Sequence, residues 1–126
     1  MRSWLPLRCS IRKGEAVRLR HMLDAAQEAL SFTKGKTRHD LDHDRMLALS
    51  LVRLIEVIGE AAAQVTKDTQ SRLSSIQWPT IIAMRHRLIH AYFDIDLDVV
   101  WDTVANDLPP LMNQLKQVLA TAAFDD

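Results

Sequence analysis

The chain has 126 residues, in which 16 Lys and Arg balance 16 Asp and Glu. This length fits one domain, and the zero net charge argues against the overall basic field of a general nucleic-acid-binding protein. Hydrophobic residues make up 48% of the chain, but it holds only 3 Gly and 4 Pro. A core can therefore be buried, whereas the residues that form the many turns of a β-rich fold are scarce. The composition predicts an all-α protein, an antiparallel four-helix bundle.

The two ends of the chain differ in charge. Residues 1–20 carry six Arg or Lys and one Glu, and residues 94–126 carry seven Asp and one Lys. Such ends can attract each other in a dimer, recruit different partners, or simply form two solvated surfaces. We expect residues 1–14 to form a flexible basic arm, residues 15–122 the helical domain and residues 123–126 a short tail.

Two further features bear on where the protein works. Cys9 is the only cysteine, so no disulfide can form within the chain, and this fits the reducing cytoplasm. No apolar run approaches the roughly 18 residues of a membrane span. Residues 1–14 also lack the apolar centre of a secretory signal. The sequence predicts a cytoplasmic protein without a membrane segment.

Apolar residues in the first half of the chain recur every three or four positions, the spacing of one helix face. They predict a first helix over about residues 15–32 and a second over about residues 43–65. Asp40 or Asp42 is the expected N-cap of the second helix. Gly59 lies inside this helix, where a glycine costs about 1 kcal/mol relative to alanine. A close approach of another helix would explain its presence there.

The second half of the chain predicts two more helices. The third begins at the Trp-Pro pair 78–79, because proline suits the first helical position, and continues to about residue 93. The fourth begins after Asp96, since acidic residues suit a helix N-terminus. Pro109-Pro110 falls in its middle, where proline removes a backbone donor and clashes with the preceding turn. We therefore expect a kink or break near Asp107.

The third predicted helix carries Arg85, His86, Arg87, His90 and Tyr92 within eight residues. Buried charge is costly unless it is paired, so such a cluster in a bundle helix needs a reason. On an ideal helix His86 and His90 share a face, while Arg85 and His90 diverge by about 140°. Arg85 and His90 can line one cleft only if the end of the helix is distorted, or if two copies of the helix meet.

Three interpretations of this cluster are open on the residues alone. His86 and His90 have the i, i+4 spacing of some zinc sites, but a third ligand is missing and Arg87 places a cation beside the metal. The cluster could also be an inert, hydrogen-bonded helix edge. Alternatively it could bind and cleave a phosphodiester, because histidine exchanges protons near neutral pH and arginine offers a fork of donors that fits a phosphate. We favour this third interpretation.

Arg85–His90 forms an Arg-x4-His motif, with a polar residue after the Arg and Leu-Ile before the His, that resembles the motif of the HEPN superfamily. The longer stretch RHRLIHAYF, followed by DIDLDVVWDTVANDLPPL, is similar to the HepT-like ribonuclease toxins of HepT–MntA toxin–antitoxin pairs. The segments RHMLDAAQEAL, DRMLALSLVRLIEVIGEAA and WPTIIAMR resemble the same family. The resemblance covers about residues 18–119.

The resemblance implies an all-α homodimer in which two motifs face one another across a cleft. It implies endoribonuclease activity on cellular RNA without a metal or other cofactor, as the toxin of a type VII toxin–antitoxin pair. Arg85 would bind the phosphate, His90 would act as general acid or base, and His86 would have a supporting role. Tyr92, the only Tyr of the chain, would accept AMP groups from a partner MntA-like nucleotidyltransferase antitoxin. Such groups would obstruct the cleft by their bulk and negative charge.

A second hypothesis is a non-catalytic helical module that dimerises and binds a nucleotidyltransferase. The two hypotheses differ in RNA cleavage.

Glu56 and Glu60 of the second helix could orient Arg85 or merely face solvent. We assign Trp78 and Trp101 to the core or an interface rather than to RNA stacking.

Overall fold

The computed structural model describes residues 10–89 and 94–125. Two three-residue strands pair there in parallel, β1 (Ser10–Arg12) and β2 (Ala123–Asp125). All other regular structure in these ranges is helical, which confirms the predicted all-α class. The α-helices are α1 (Lys13–Thr33), α2 (Asp40–His43), α3 (Arg45–Gln64), α4 (Lys67–Arg72), α5 (Trp78–Ala83), α6 (Leu97–Asp102) and α7 (Leu108–Thr121).

The core lies between α1, α3 and α7, since α1 packs mainly against the other two. The apolar faces predicted from the spacing supply side chains that are wholly buried, with 0% of their surface exposed. Burying each such side chain contributes roughly 1.5–3 kcal/mol. These residues are Leu19 and Met22 from α1, Leu51, Ile55 and Ile58 from α3, and Leu108 and Leu115 from α7.

The start of α3 differs from the prediction. Asp44 is its N-cap, because the carboxylate accepts the backbone N–H of Leu47 at 3.0 Å. The choice of Asp40 or Asp42 was wrong. Asp40 begins the short helix α2 instead, and its carboxylate accepts the backbone N–H of Thr37 at 2.6 Å. Any of several neighbouring aspartates can act as an N-cap, so the sequence alone does not distinguish them. Because the short helix α2 comes first, the aspartate that follows it caps α3.

The third predicted helix is shorter than expected. It begins at Trp78 as predicted, but α5 ends at Ala83 and a 3₁₀ turn, Met84–Arg87, follows it. Leu88 still has helical dihedral angles, and Ile89 then pairs with Ile95 in an antiparallel bridge. The predicted continuation of the helix to residue 93 is therefore wrong. The bridge provides hydrogen-bond partners for backbone N–H and C=O groups that a continued helix would otherwise have paired. Residues 90–93 themselves lie outside the described residues.

The fourth predicted helix is interrupted where its prolines indicate. Asp96 caps α6, as its carboxylate accepts the backbone N–H of Val99 at 3.1 Å. A π-helical segment, Thr103–Asp107, then joins α6 to α7, and the prolines occupy the first turn of α7. The wider π turn changes the backbone hydrogen-bond pattern just before the two prolines, which have no N–H to donate. The predicted irregularity near Asp107 is confirmed.

The two ends of the described chain meet. Ser10 pairs with Ala123 and Arg12 with Asp125 in the two-stranded sheet, and Ile11 between them is buried. Residues 10–12 of the predicted arm are therefore a strand, and α1 begins at Lys13. Residues 1–9 lie outside the described part. In the ranges that the structure covers, no helix has the length and apolar character to span a membrane.

Candidate active site

A 3₁₀ turn, Met84–Arg87, carries the first half of the predicted motif. Met84 and Leu88 are fully buried on either side of its polar residues. Upstream, the indole Nε1–H of Trp78 donates to a carbonyl of the preceding loop at 3.1 Å. Downstream, the backbone N–H of Asp96 donates to the carbonyl of Leu88 at 2.7 Å. The turn is therefore tied to the core on both sides, and its polar side chains start from a well-fixed backbone.

Arg85 is half-buried and packs against α3 at Gly59. A Cβ added to Gly59 would lie 3.5 Å from Cδ of Arg85 and 3.5 Å from the carbonyl oxygens of Ile81 and Ile82. The predicted close approach at this glycine is confirmed. Among the described residues, no hydrogen bond or ion pair engages the guanidinium of Arg85. Its donors remain available to an anionic ligand.

The other two polar residues of the turn are exposed. His86 faces solvent. Arg87 lies near Asp107 at the end of the π-helical segment, with 3.8 Å between Nη2 and Oδ2. Burial raises the pKa of the Asp107 carboxyl, Arg87 opposes this effect, and Asp102 adds to it, so the pKa lies above its ordinary value. The π-helical segment thus places an acidic group beside the turn.

Glu56 and Glu60 are engaged within α3. Arg53 Nη1 lies 3.8 Å from Oε1 of Glu56 and 3.5 Å from Oε2 of Glu60. Neither carboxylate pairs with Arg85 in the described structure. Of the two interpretations of these glutamates, the contacts favour a half-exposed ion-pair group on the helix surface over an orienting role.

His90 and Tyr92 lie outside the described residues. The described chain stops at Ile89 and resumes at Asp94, so the structure brings together Arg85 and His86 of the predicted site but does not describe its other two members. The zinc interpretation rested on His86 and His90 sharing one helix face. Because the α-helix ends at Ala83, that face is not formed. The described residues also contain no cluster of three His, Cys, Asp or Glu side chains suited to a metal.

Asp107 is the residue near the motif that sequence reasoning did not assign to the site. The double proline marked the position as irregular, and this was the only signal. Its proximity to Arg87 depends on how α6 and the π-helical segment pack beside the turn, 20 positions earlier in the chain. A local pattern does not report such a long-range contact.

Comparisons with known proteins indicate one family. The family described as "Ribonuclease HepT-like" matches residues 22–118. A protein of Caldanaerobacter subterraneus subsp. tengcongensis, named as a "Putative RNase", is 33% identical over 80% of this chain and 90% of its own length. A "Probable ribonuclease HepT" of Thermococcus cleftensis is 31% identical over 79% of this chain and 91% of its own. No solved structure matches the chain at a comparable level of significance.

The fold and the turn thus define an all-α protein of the HEPN-like class. The chain belongs to the ribonuclease HepT-like family.

Proposed function

We propose that this protein is an endoribonuclease that binds the scissile phosphate through Arg85. The observation that carries the proposal is a half-buried guanidinium that no described residue pairs, set on a turn anchored in the core. A desolvated arginine attracts a phosphate more strongly than an exposed one, because water screens it less. Membership of the ribonuclease HepT-like family supports RNA as the source of that phosphate.

RNA supplies the nucleophile of the reaction. The ribose 2′-oxygen attacks the adjacent phosphorus and the bond from phosphorus to the 5′-oxygen breaks, which leaves a 2′,3′-cyclic phosphate and a 5′-hydroxyl. One group takes the proton of the 2′-OH, and another gives a proton to the leaving 5′-oxygen. We assign proton transfer to His90, stabilisation of the phosphoryl charge to Arg85, and a supporting contact to His86. No step in this scheme requires a metal.

We further propose that two copies of the chain share one cleft. Each motif offers one group that we assign to proton transfer, His90, whereas the reaction needs a proton acceptor and a proton donor. Two motifs related by a two-fold axis would supply both. The exposed position of His86 leaves room for such an arrangement.

The biological setting that we propose is a type VII toxin–antitoxin pair in the cytoplasm. The partner is an MntA-like nucleotidyltransferase that silences the toxin by adding AMP to Tyr92. The sequence supports this through RHRLIHAYF, in which the Tyr follows the His at two positions. Negative phosphate and added bulk beside Arg85 would compete with the RNA.

A non-catalytic binding module is the second candidate. Exposed apolar side chains favour it, since Phe32, Met46 and Leu49 are 39%, 80% and 45% exposed near one end of α1 and α3. Apolar patches of this kind mark contact surfaces. This candidate predicts a stable complex with a nucleotidyltransferase but no cleavage of RNA.

Cleavage of labelled RNA by the purified protein in EDTA separates the two candidates. We expect cleavage by the wild type, and a loss of at least about a hundredfold in His90→Ala and Arg85→Ala, the scale of one general acid–base group or charge-stabilising donor. His21→Ala and Arg45→Ala replace exposed residues of α1 and α3 and should leave the rate unchanged. Cleavage that stops on chelation, or that survives in His90→Ala, would contradict the proposed mechanism. Circular dichroism confirms folding of each variant.

A further inference from the structure

A cavity of about 860 Å³ lies at the first turn of α1 and is lined by none of the motif residues. It is bounded by β1, by the end of α3 at Gln64, and by the start of α4. Its volume falls within the range of pockets that hold small organic ligands and cofactors, roughly 300–1,000 Å³. The cavity is therefore large enough for a mononucleotide.

The charges around this cavity favour an anion. Its lining contains four cations and two carboxylates. One carboxylate, Asp68, is already paired with Arg72 at 3.2 Å. The side chain of Arg12 is exposed and forms no hydrogen bond or ion pair with the side chains that the structure describes. It is also the N-cap of the 21-residue α1 and provides no side-chain cap, so the positive end of that helix faces the same space.

A buried carboxylate in the same lining requires a hydrogen-bond donor. Glu15 is 5% exposed. Its Oε1 accepts the backbone N–H of Thr66 at 3.0 Å, the Thr69 hydroxyl at 3.0 Å and the Thr66 hydroxyl. Its Oε2 is buried without a hydrogen-bond partner among the described residues, and Nη1 of Arg18 lies 4.0 Å from it. Unpaired buried polar atoms are rare, and each leaves a desolvation cost that a ligand can remove.

Glu15 is an acceptor at neutral pH. Burial raises the pKa of its carboxyl, but the hydrogen bonds from Thr66 and Thr69 and the charge of Arg18 outweigh this effect and hold the pKa below its ordinary value. Arg18 in turn donates to Gln64 Oε1 at 3.3 Å and to the Gly14 carbonyl at 3.0 Å. The cavity thus combines cations that suit a phosphate with an ionised carboxylate that suits a hydroxyl group.

We propose that this cavity binds a ribonucleotide. The phosphate lies at the N-terminus of α1 between Arg12 and Arg18. When Arg18 turns toward the phosphate, Oε2 of Glu15 becomes accessible and accepts a hydrogen bond from a ribose hydroxyl. A ribonucleotide carries a phosphate and free hydroxyls a few ångströms apart, which is the combination that these residues require. The nucleotide can be free or can be the end of an RNA strand, because both present the same chemistry. This site goes beyond the proposed nuclease function, and its test does not involve RNA cleavage.

The test is isothermal titration calorimetry of the full-length protein with uridine 5′-monophosphate. We expect saturable binding that weakens about tenfold in Arg12→Ala and in Arg18→Ala, the effect of losing one charge-assisted hydrogen bond. The 2′,3′-dideoxy analogue should bind about tenfold more weakly than the ribonucleotide, since it cannot donate to Glu15. Lys116→Ala, at an exposed cation of α7, should bind like the wild type, and Arg85→Ala should retain the saturable binding.

Glu15→Gln removes the buried charge and can impair folding, so the exposed Arg12 provides the decisive variant, with thermal unfolding as the check on its structure. Competition by a 5′-phosphorylated oligoribonucleotide would identify RNA as the source of the nucleotide, and lack of competition would identify a free nucleotide. No saturable binding would overturn the proposal. So would binding that is lost in Arg85→Ala but unchanged in Arg12→Ala, because the motif would then be the site observed.

Discussion

Half-burial of a guanidinium removes part of its hydration, and at Arg85 no described side chain replaces that loss. A phosphate would therefore gain more from this cation than from an exposed arginine such as Arg45, which keeps its water. Gly59 permits the position of Arg85, since it leaves space on α3 for the methylene chain. The position of Arg85 therefore depends on the lack of a large side chain at residue 59 of α3.

Substitutions at Gly59 test this dependence. A Cβ fits at ordinary contact distance, so Gly59→Ala should raise the free energy of unfolding by up to about 1 kcal/mol and keep RNA cleavage. Gly59→Leu would overlap the carbonyls of α5 and the Arg85 side chain. We expect it to lose about 1–3 kcal/mol and most of the cleavage activity. Denaturant unfolding and the RNA assay measure both effects, with Ala63→Leu at an exposed position of α3 as control. Unchanged activity in a folded Gly59→Leu protein would remove Gly59 from the explanation.

Elements were predicted well where their own sequence determines them. The apolar faces of α1 and α3 predicted the correct helices, and the prolines in the first turn of α7 predicted the correct interruption. The end of the third helix was not predictable in this way, because the bridge from Ile89 to Ile95 depends on α6 returning to the turn. For the candidate site, the sequence motif predicted Arg85 and its neighbours, and this assignment stays a prediction. The ion pair with Asp107 depends on tertiary packing and could not be found by spacing.

Asp107 connects the π-helical segment to the turn through its contact with Arg87, and its contribution to the stability of the fold depends on pH. Because burial raises the pKa of Asp107, the folded state binds its proton more tightly than the unfolded state. Ionised Asp107 therefore costs stability, and this cost appears as the pH rises from the unfolded value of about 3.9 through the higher folded value. We expect Asp107→Asn to be more stable than the wild type at pH 7, with a difference that shrinks as the pH falls through the folded pKa of Asp107 and no longer changes below about 4.

Urea unfolding at a series of pH values measures this difference. The lost contact with Arg87 offsets little of it, since a half-exposed pair 3.8 Å apart contributes at most about 1 kcal/mol. Asp24→Asn replaces an exposed carboxylate of α1 and serves as the control. If Asp107→Asn is less stable than the wild type at pH 7, the pairing with Arg87 outweighs the burial of the charge and our interpretation is wrong.

At the scale of the whole molecule, the two proposed binding sites are separate. The motif turn lies on the α5 side of α3, and the cavity at the first turn of α1 lies where α3 ends. The turn offers a cation for the scissile phosphate, while the cavity offers cations and a carboxylate for a ribonucleotide. A small domain gains stability from association. A dimer would also bring two turns together without any change in the fold of either chain.

Mixed dimers test whether the proposed cleft is shared. Equal amounts of wild-type and His90→Ala protein, unfolded and refolded together, give hybrids in about half of the dimers and wild-type homodimers in about a quarter. Each hybrid keeps only one His90, so a shared cleft lacks either the proton acceptor or the proton donor. A shared cleft therefore predicts about a quarter of the cleavage of an all-wild-type sample at the same total concentration. The matched control replaces His90→Ala with His21→Ala and should keep full cleavage. Light scattering establishes the dimer. Cleavage at about half of the wild-type rate in the test mixture would show that the site is complete in each copy.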